Sequence, residues 1–187
     1  MAAISVPLQA EPGLLSRLMT RRTSLIGLII LAVIAAAAIL APLIAPYSPS
    51  KLSIANRLHA PSFQFLFGTD DLGRDVFTRM LYAAQTSLAV GLAVVALASV
   101  IGIVLGLTSG FFRNLDAPVS RLIDAMMAFP DILLAIALVA ALGASATNVV
   151  IALGVVYAPR LARVVRASTL VIRELPYVEA ARALGVP

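Results

Sequence analysis

The chain reads as an all-α protein, a polytopic membrane helical bundle with about four transmembrane helices. Three observations predict this. Of the 187 residues, 61% are hydrophobic and mean hydropathy is +1.02, where a soluble domain is about half apolar. Only 12% are charged, too few to cover a water-facing surface. The run Leu25–Ile44 carries no charge at all. As a helix it rises about 30 Å, the thickness of a bilayer's hydrocarbon core.

The elements follow in order. Residues 1–22 form a polar cytoplasmic tail with Pro7, Pro12 and Gly13, closing on Arg17, Arg21 and Arg22. The first transmembrane helix covers 23–44, where Pro42 and Pro46 break it. It is about twice the length of a signal-peptide core and further spans follow, so it reads as a retained helix and not a cleaved leader. Residues 45–82 form an extracytoplasmic segment with Pro46, Pro49, Pro61, Gly68, Gly73 and seven charges, too polar to span. Its end, Arg74–Tyr82, has helical spacing. Val76, Phe77, Met80, Leu81 and Ala84 share a face, and Asp75 precedes Arg79 by one turn. This predicts a short interfacial amphipathic helix. Gly68 permits the bend before it, and Thr69, Asp70 or Asp71 supplies a cap for a helix opening at Arg74.

Residues 83–187 form the helical core, with spans at about 83–108, 122–142 and 147–159. The last continues into a cytoplasmic segment, 160–187. Gly102, Gly106 and Gly110, with Ala98 before them, repeat every four residues. Small side chains at that spacing let helix backbones approach closely in lipid. Residues 109–124 read as a loop, and Pro130 interrupts the third span near its start. Asp131, the one acid at apparent membrane depth, is either a path-lining residue or an interfacial one that caps after Pro130.

Charge sets the orientation. The net charge of +5 comes from thirteen Arg and Lys51 against nine acids. With the N-terminus cytoplasmic, ten Arg face the cytoplasm and four basic residues face out, which agrees with the positive-inside rule. Because the Arg residues lie beside apolar runs, lipid and topology account for them, and nucleic acid is not implied. The chain holds no Cys, and His59 reads as a solvated loop residue. The acids of Asp70–Asp75 do not alternate as calcium ligands do, and Arg74 would repel a cation. No phosphate-binding loop, nucleophile elbow or zinc-helix motif is present. Catalytic, cofactor and metal residues are therefore expected to be none, and the chain is not read as an enzyme.

The tail is the second informative segment. Pro176 stops the helix carrying Arg173 and Glu174, and a new short helix starts there. Tyr177, Ala180, Ala181 and Leu184 fall on one face, Glu179 and Arg182 lie away from it, and Gly185 is the C-terminal stop. Such a helix suits insertion into a partner's groove.

These segments carry a resemblance. Phe67–Arg79, with Gly68, Thr69, Asp70, Gly73, Arg74 and Asp75, resembles the segment before the second helix in C-type permease subunits of dipeptide/oligopeptide ABC importers. Leu40–Tyr47 and Ala128–Ile136 resemble the family's first and third helices. Glu179–Gly185 matches the Glu-Ala-Ala-x-x-x-Gly half of its cytoplasmic motif, the loop that docks on the ATPase. The resemblance covers about residues 17–187 and implies six membrane helices in a full-length member. Since the chain stops at Pro187, inside that motif, it reads as a fragment or truncated product of a longer permease.

The resemblance also implies the company such a chain keeps. A second, homologous permease, cytosolic ATPase subunits and an extracytoplasmic solute-binding protein are the expected partners in the inner (plasma) membrane. ATP and Mg are used by the ATPases, and none is bound by this chain. The coupling residues it implies are Tyr177, Glu179, Ala180, Ala181, Leu184 and Gly185. The rival readings are a non-transporting fragment or scaffold and an ATP-independent secondary transporter.

Overall fold

The computed structural model describes residues 21–185, so most of the expected N-terminal tail lies outside the described residues. The helices are α1 (Arg22–Ile39), α2 (Ala41–Ile44), α3 (Val76–Phe111), α4 (Arg113–Met127), α5 (Asp131–Leu142), α6 (Ala146–Arg173) and α7 (Pro176–Ala183). No strand is formed among the described residues, only an isolated antiparallel bridge between Thr69 and Asp75. Helices α1, α3 and α6 are long and apolar enough to cross a membrane, and α4 with α5 makes a fourth crossing if that bent pair counts as one span. The protein is an all-α, polytopic membrane bundle.

The chain divides into two compact units, one ending at Leu88 and one starting at Ala89. In the first, α1 exposes large apolar side chains all round, among them Ile26, Leu28, Ile29, Leu31 and Val33. A helix without a polar face, unburied by protein, is at home in lipid. It ends because Pro42 has no N–H for the Ala38 carbonyl and its ring crowds that turn. Leu40 closes α1 with an N–H to the Ala36 carbonyl at 2.9 Å, and Pro42 sits in the first turn of α2.

The predicted interfacial helix does not exist as a separate element. Residues from Val76 onward are the opening turns of α3, which runs unbroken to Phe111. At 1.5 Å per residue this helix is about 54 Å long, well beyond the hydrocarbon thickness. The amphipathic spacing was real, but nothing between Tyr82 and Ala83 breaks the helix.

In the second unit α6 is the central element and packs against α4, α5 and α7. Its buried face is built from Ala152, Gly154, Val156, Ala158, Pro159 and Ala162. Small residues dominate because the helices touch nearly backbone to backbone. A Cβ on Gly102 would lie 2.8 Å from the Leu161 Cβ, and one on Gly106 or Gly110 would lie 2.6 Å from the Cβ of Val165 or Thr169. The four-residue glycine repeat is therefore the seam between α3 and α6.

Two expectations about this unit need correction. Residues 113–127 are helix α4 and not loop. The third span, expected over 122–142 with an interruption at Pro130, is interrupted there, but as a full break between two helices. It breaks at Ala128–Pro130, and α4 and α5 meet at 91°. Pro130 is the cause: residues before proline are pushed out of the α region, and Pro130 itself becomes the N-cap of α5 with φ −59 and ψ 126.

Candidate functional site

Two clusters hold the candidate residues. The first is the loop between α2 and α3, stitched by backbone pairs. The N–H of Ser53 donates to the Leu72 carbonyl at 3.2 Å, that of Leu58 to Asp70 at 3.1 Å and that of Thr69 to His59 at 3.1 Å. Thr69, buried, reinforces this strand-like pairing with its side chain. Its hydroxyl accepts the His59 N–H at 2.8 Å and donates to the Asn56 carbonyl.

Asp70 organises the turn that follows. One carboxylate oxygen accepts the N–H groups of Leu72 and Arg74, each at 2.9 Å. The other takes the Arg74 guanidinium at 2.8 Å and that of Arg79. Burial alone would push this carboxyl up. The backbone N–H groups of Arg74 and Leu72 and the two guanidinium groups outweigh it and hold it well below the usual carboxylate range. A depressed folded value means the Asp70 contribution is fully present above the ordinary Asp range and is lost only as pH falls towards that lower value. Resistance of this loop to proteolysis is expected to persist from neutral pH to about 4.5, whereas Asp70→Asn is expected to loosen the loop throughout. Equal protection of the Asn variant at neutral pH would contradict the assignment.

Asp75 does what the sequence reading gave to its neighbours. Helix α3 opens at Val76 and not Arg74, and Asp75 Oδ2 accepts the Thr78 N–H at 2.8 Å, satisfying one of the free donors of the first turn. Asp75 Oδ1 and Thr78 Oγ1 are buried with no hydrogen-bond partner among the described residues. Gly68 and Gly73 stand at φ +73 and +71, with the His59 and Ser53 carbonyl oxygens where a Cβ would go. Tyr47, Lys51, Asn56, Phe65 and Asp75 border a cavity of about 110 Å³, room for a few waters. No group of three or more His, Cys, Asp or Glu among the described residues is placed to hold a metal.

The second cluster is the elbow of α6 and α7. Helix α6 ends at Arg173, and α7 starts at Pro176, whose missing N–H costs nothing in a first turn. Tyr177, Ala180 and Leu184 are exposed, while Val178 and Ala181 turn partly inward. Val178 closes an apolar hollow of about 240 Å³ with Leu107, Phe111, Thr169 and Ile172. Of the four residues expected to share a contact face, three thus point away from the protein and Ala181 leans back. Glu179 lies exposed in the first turn of α7, where the helix dipole favours an acid. Gly185 follows at φ +81, with open space around it.

Sequence reasoning read the basic residues of α6 as membrane topology alone and missed their pairing. Arg160 pairs with Asp131, Arg163 Nη2 with Asp124 Oδ1 at 2.6 Å, and Arg166 Nε with Asp116 Oδ1 at 2.6 Å. Arg173 donates to the Gly110 carbonyl at 3.0 Å. Asp131 is thereby placed: it opens α5 directly after Pro130 and faces Arg160. The only signal available was the three-residue step of the arginines, which does not identify their partners.

Comparison with known proteins agrees with this architecture. Residues 98–187 match the family model described as the binding-protein-dependent transport system inner membrane component. Residues 14–61 match the N-terminal TM domain of oligopeptide transport permease C. A Brucella suis protein named as a peptide transport system permease is 48% identical over 169 residues, covering 90% of this chain and 57% of its own length. The dipeptide transport system permease protein DppC of Alkalihalophilus pseudofirmus is 43% identical over 171 residues, covering 91% of this chain and 56% of its own. The glutathione transport system permease protein GsiD of Pectobacterium atrosepticum is 41% identical, covering 85% and 53%. The chain spans little more than half the length of these relatives. The two matched regions lie towards the two ends of the chain, and the chain belongs to the family of binding-protein-dependent transport system inner membrane components.

Proposed function

We propose that this chain is the permease part of a peptide importer, with its N-terminus in the cytoplasm and α7 as the helix on which a partner ATPase pulls. The observation that carries the reading is the elbow. Tyr177, Ala180 and Leu184 are presented outward at the end of α6, a 28-residue helix that is itself a candidate span. A push on α7 is thus a push on a membrane helix. The relatives are named for peptides, dipeptides and glutathione, which supports cargo of the small-peptide class.

In this mechanism the chain contributes no reacting group. A second permease completes the path, an extracytoplasmic binding protein delivers cargo, and the partner ATPases use ATP and Mg²⁺. Coupling requires that α7 be held differently in the inward-open and outward-open states, since a partner shifts an equilibrium only through differential contacts. Glu179 sits where the dipole of α7 favours an acid, and Gly185 has a backbone conformation that side chains resist.

The test uses the permease extended to the full length of its relatives, with its partners. Glu179→Lys and Gly185→Val are each expected to lower ATPase co-purification and peptide uptake by about tenfold, the scale of a coupling energy between sites. Unchanged association and uptake in both variants would overturn the docking role. Uptake without any ATPase, driven by an ion gradient, would replace the reading with secondary transport.

A further inference from the structure

Resting on the reading just given, we infer that Arg166 and Asp116 are a positioning pair that makes the broken span α4–α5 follow the movement of α7.

Three arginines on α6 stand three residues apart and grip three acids on two other helices. In each of the other two pairs at least one partner is well exposed: 54% and 66% for Arg163–Asp124, and 61% for Arg160 against 25% for Asp131. Exposed pairs of that kind contribute little. Arg166–Asp116 differs, with exposures of 31% and 35%. Its acceptor oxygen also takes the Ser120 hydroxyl at 3.2 Å, so the carboxylate is fixed from its own helix before Arg166 arrives.

The backbone of Arg166 is fixed as well. Its carbonyl oxygen lies 3.3 Å from where a Gly110 Cβ would stand. At this residue α6 meets the glycine seam of α3 with its backbone and α4 with its side chain. From Arg166 the helix runs unbroken to Arg173, and α7 begins at Pro176. A displacement of α7 therefore crosses only the two-residue joint Glu174–Leu175 before continuous helix carries it to Arg166. The guanidinium, a planar donor with fixed geometry, hands it to Asp116 near the start of α4. At its other end α4 turns 91° into α5, so tilting α4 swings α5.

The experiment uses the full-length permease with its partners in proteoliposomes and reads peptide uptake and ATP hydrolysis together. Asp116→Asn and Arg166→Gln are each expected to keep ATPase co-purification and hydrolysis while lowering uptake per ATP about fivefold or more. The exchange of Asp116→Arg with Arg166→Asp is expected to restore much of the ratio, which a merely structural loss would not do. Arg163→Gln is expected to leave the ratio unchanged. A normal ratio in both single variants would overturn the inference, and so would failure of the exchange where both singles are impaired. If the singles do not assemble, the conservative Arg166→Lys decides: a wild-type ratio there refutes the need for a planar, fixed donor. Loss of co-purification already in the unaltered protein would count against the docking reading instead.

Discussion

Gly73→Ala is expected to unfasten the loop between α2 and α3 and to give the largest stability loss of any single substitution there. A Cβ at this position would stand 1.8 Å from the Ser53 carbonyl oxygen and 2.6 Å from its carbon. Both are backbone atoms, so no rotamer change relieves the clash. The residue also has φ +71, a conformation that costs a non-glycine residue about 1–3 kcal/mol. Moving Ser53 away would break its N–H bond to the Leu72 carbonyl, worth about 1 kcal/mol more. The Asp70–Gly73 turn, the Thr69 stitches and the cap at Asp75 are contiguous with it, so the loss is expected to spread. Thermal unfolding and limited proteolysis of the purified protein check this against Asp71→Ala. Asp71 is exposed, and its change is expected to stay within about 0.5 kcal/mol. Equal melting of the two variants would show that the loop tolerates the intrusion.

Gly106→Val is the counterpart inside the bundle and is expected to prise α3 from α6. A Cβ there would lie 2.6 Å from the Val165 Cβ and 2.7 Å from the Ala162 carbonyl oxygen. The oxygen belongs to the backbone of the central helix and cannot retreat without moving α6. Overpacking of this kind costs about 1–3 kcal/mol. In lipid, where close packing is itself the force that joins helices, the seam has little else to fall back on. Gly91→Val is the control: it lies on the same helix with nothing within 4 Å. Reduced thermal stability and uptake for Gly106→Val but not Gly91→Val is the expected pattern. Equal behaviour would place the glycines outside the contact.

Both substitutions act on glycines visible in the sequence, yet only one could be interpreted there. The four-residue spacing of Gly102, Gly106 and Gly110 names a contact face before any partner is known, because helical periodicity is local. The opposing Leu161, Val165 and Thr169 lie about sixty residues further along the chain, and no spacing rule reaches them. Gly73 reads as one turn residue among several. That it abuts Ser53, twenty positions earlier, depends on how the loop folds back. The elbow at α7 was legible for the same reason as the glycine face: Pro176 and Gly185 impose their start and stop on the chain directly.

Helix α4 shows the opposite case. Residues 109–124, with Arg113, Asp116, Arg121 and Asp124, read as a polar loop, yet residues 113–127 form a helix with Pro118 inside it. Its acids are matched by Arg163 and Arg166 of α6, and its apolar side is anchored by Ile123, 3% exposed. Local propensity argued one way and packing decided the other.

By itself, then, the sequence determined the solvent and the boundaries that proline and glycine enforce, since each depends on hydropathy or backbone chemistry within a few residues, while the family showed only through the resemblance of its motifs. Tertiary structure alone decided which residues oppose the glycine seam, that residues 113–127 settle as helix, and which acid each arginine of α6 holds. Those outcomes follow from contacts between residues far apart along the chain, where close packing and ion pairing choose among locally acceptable shapes.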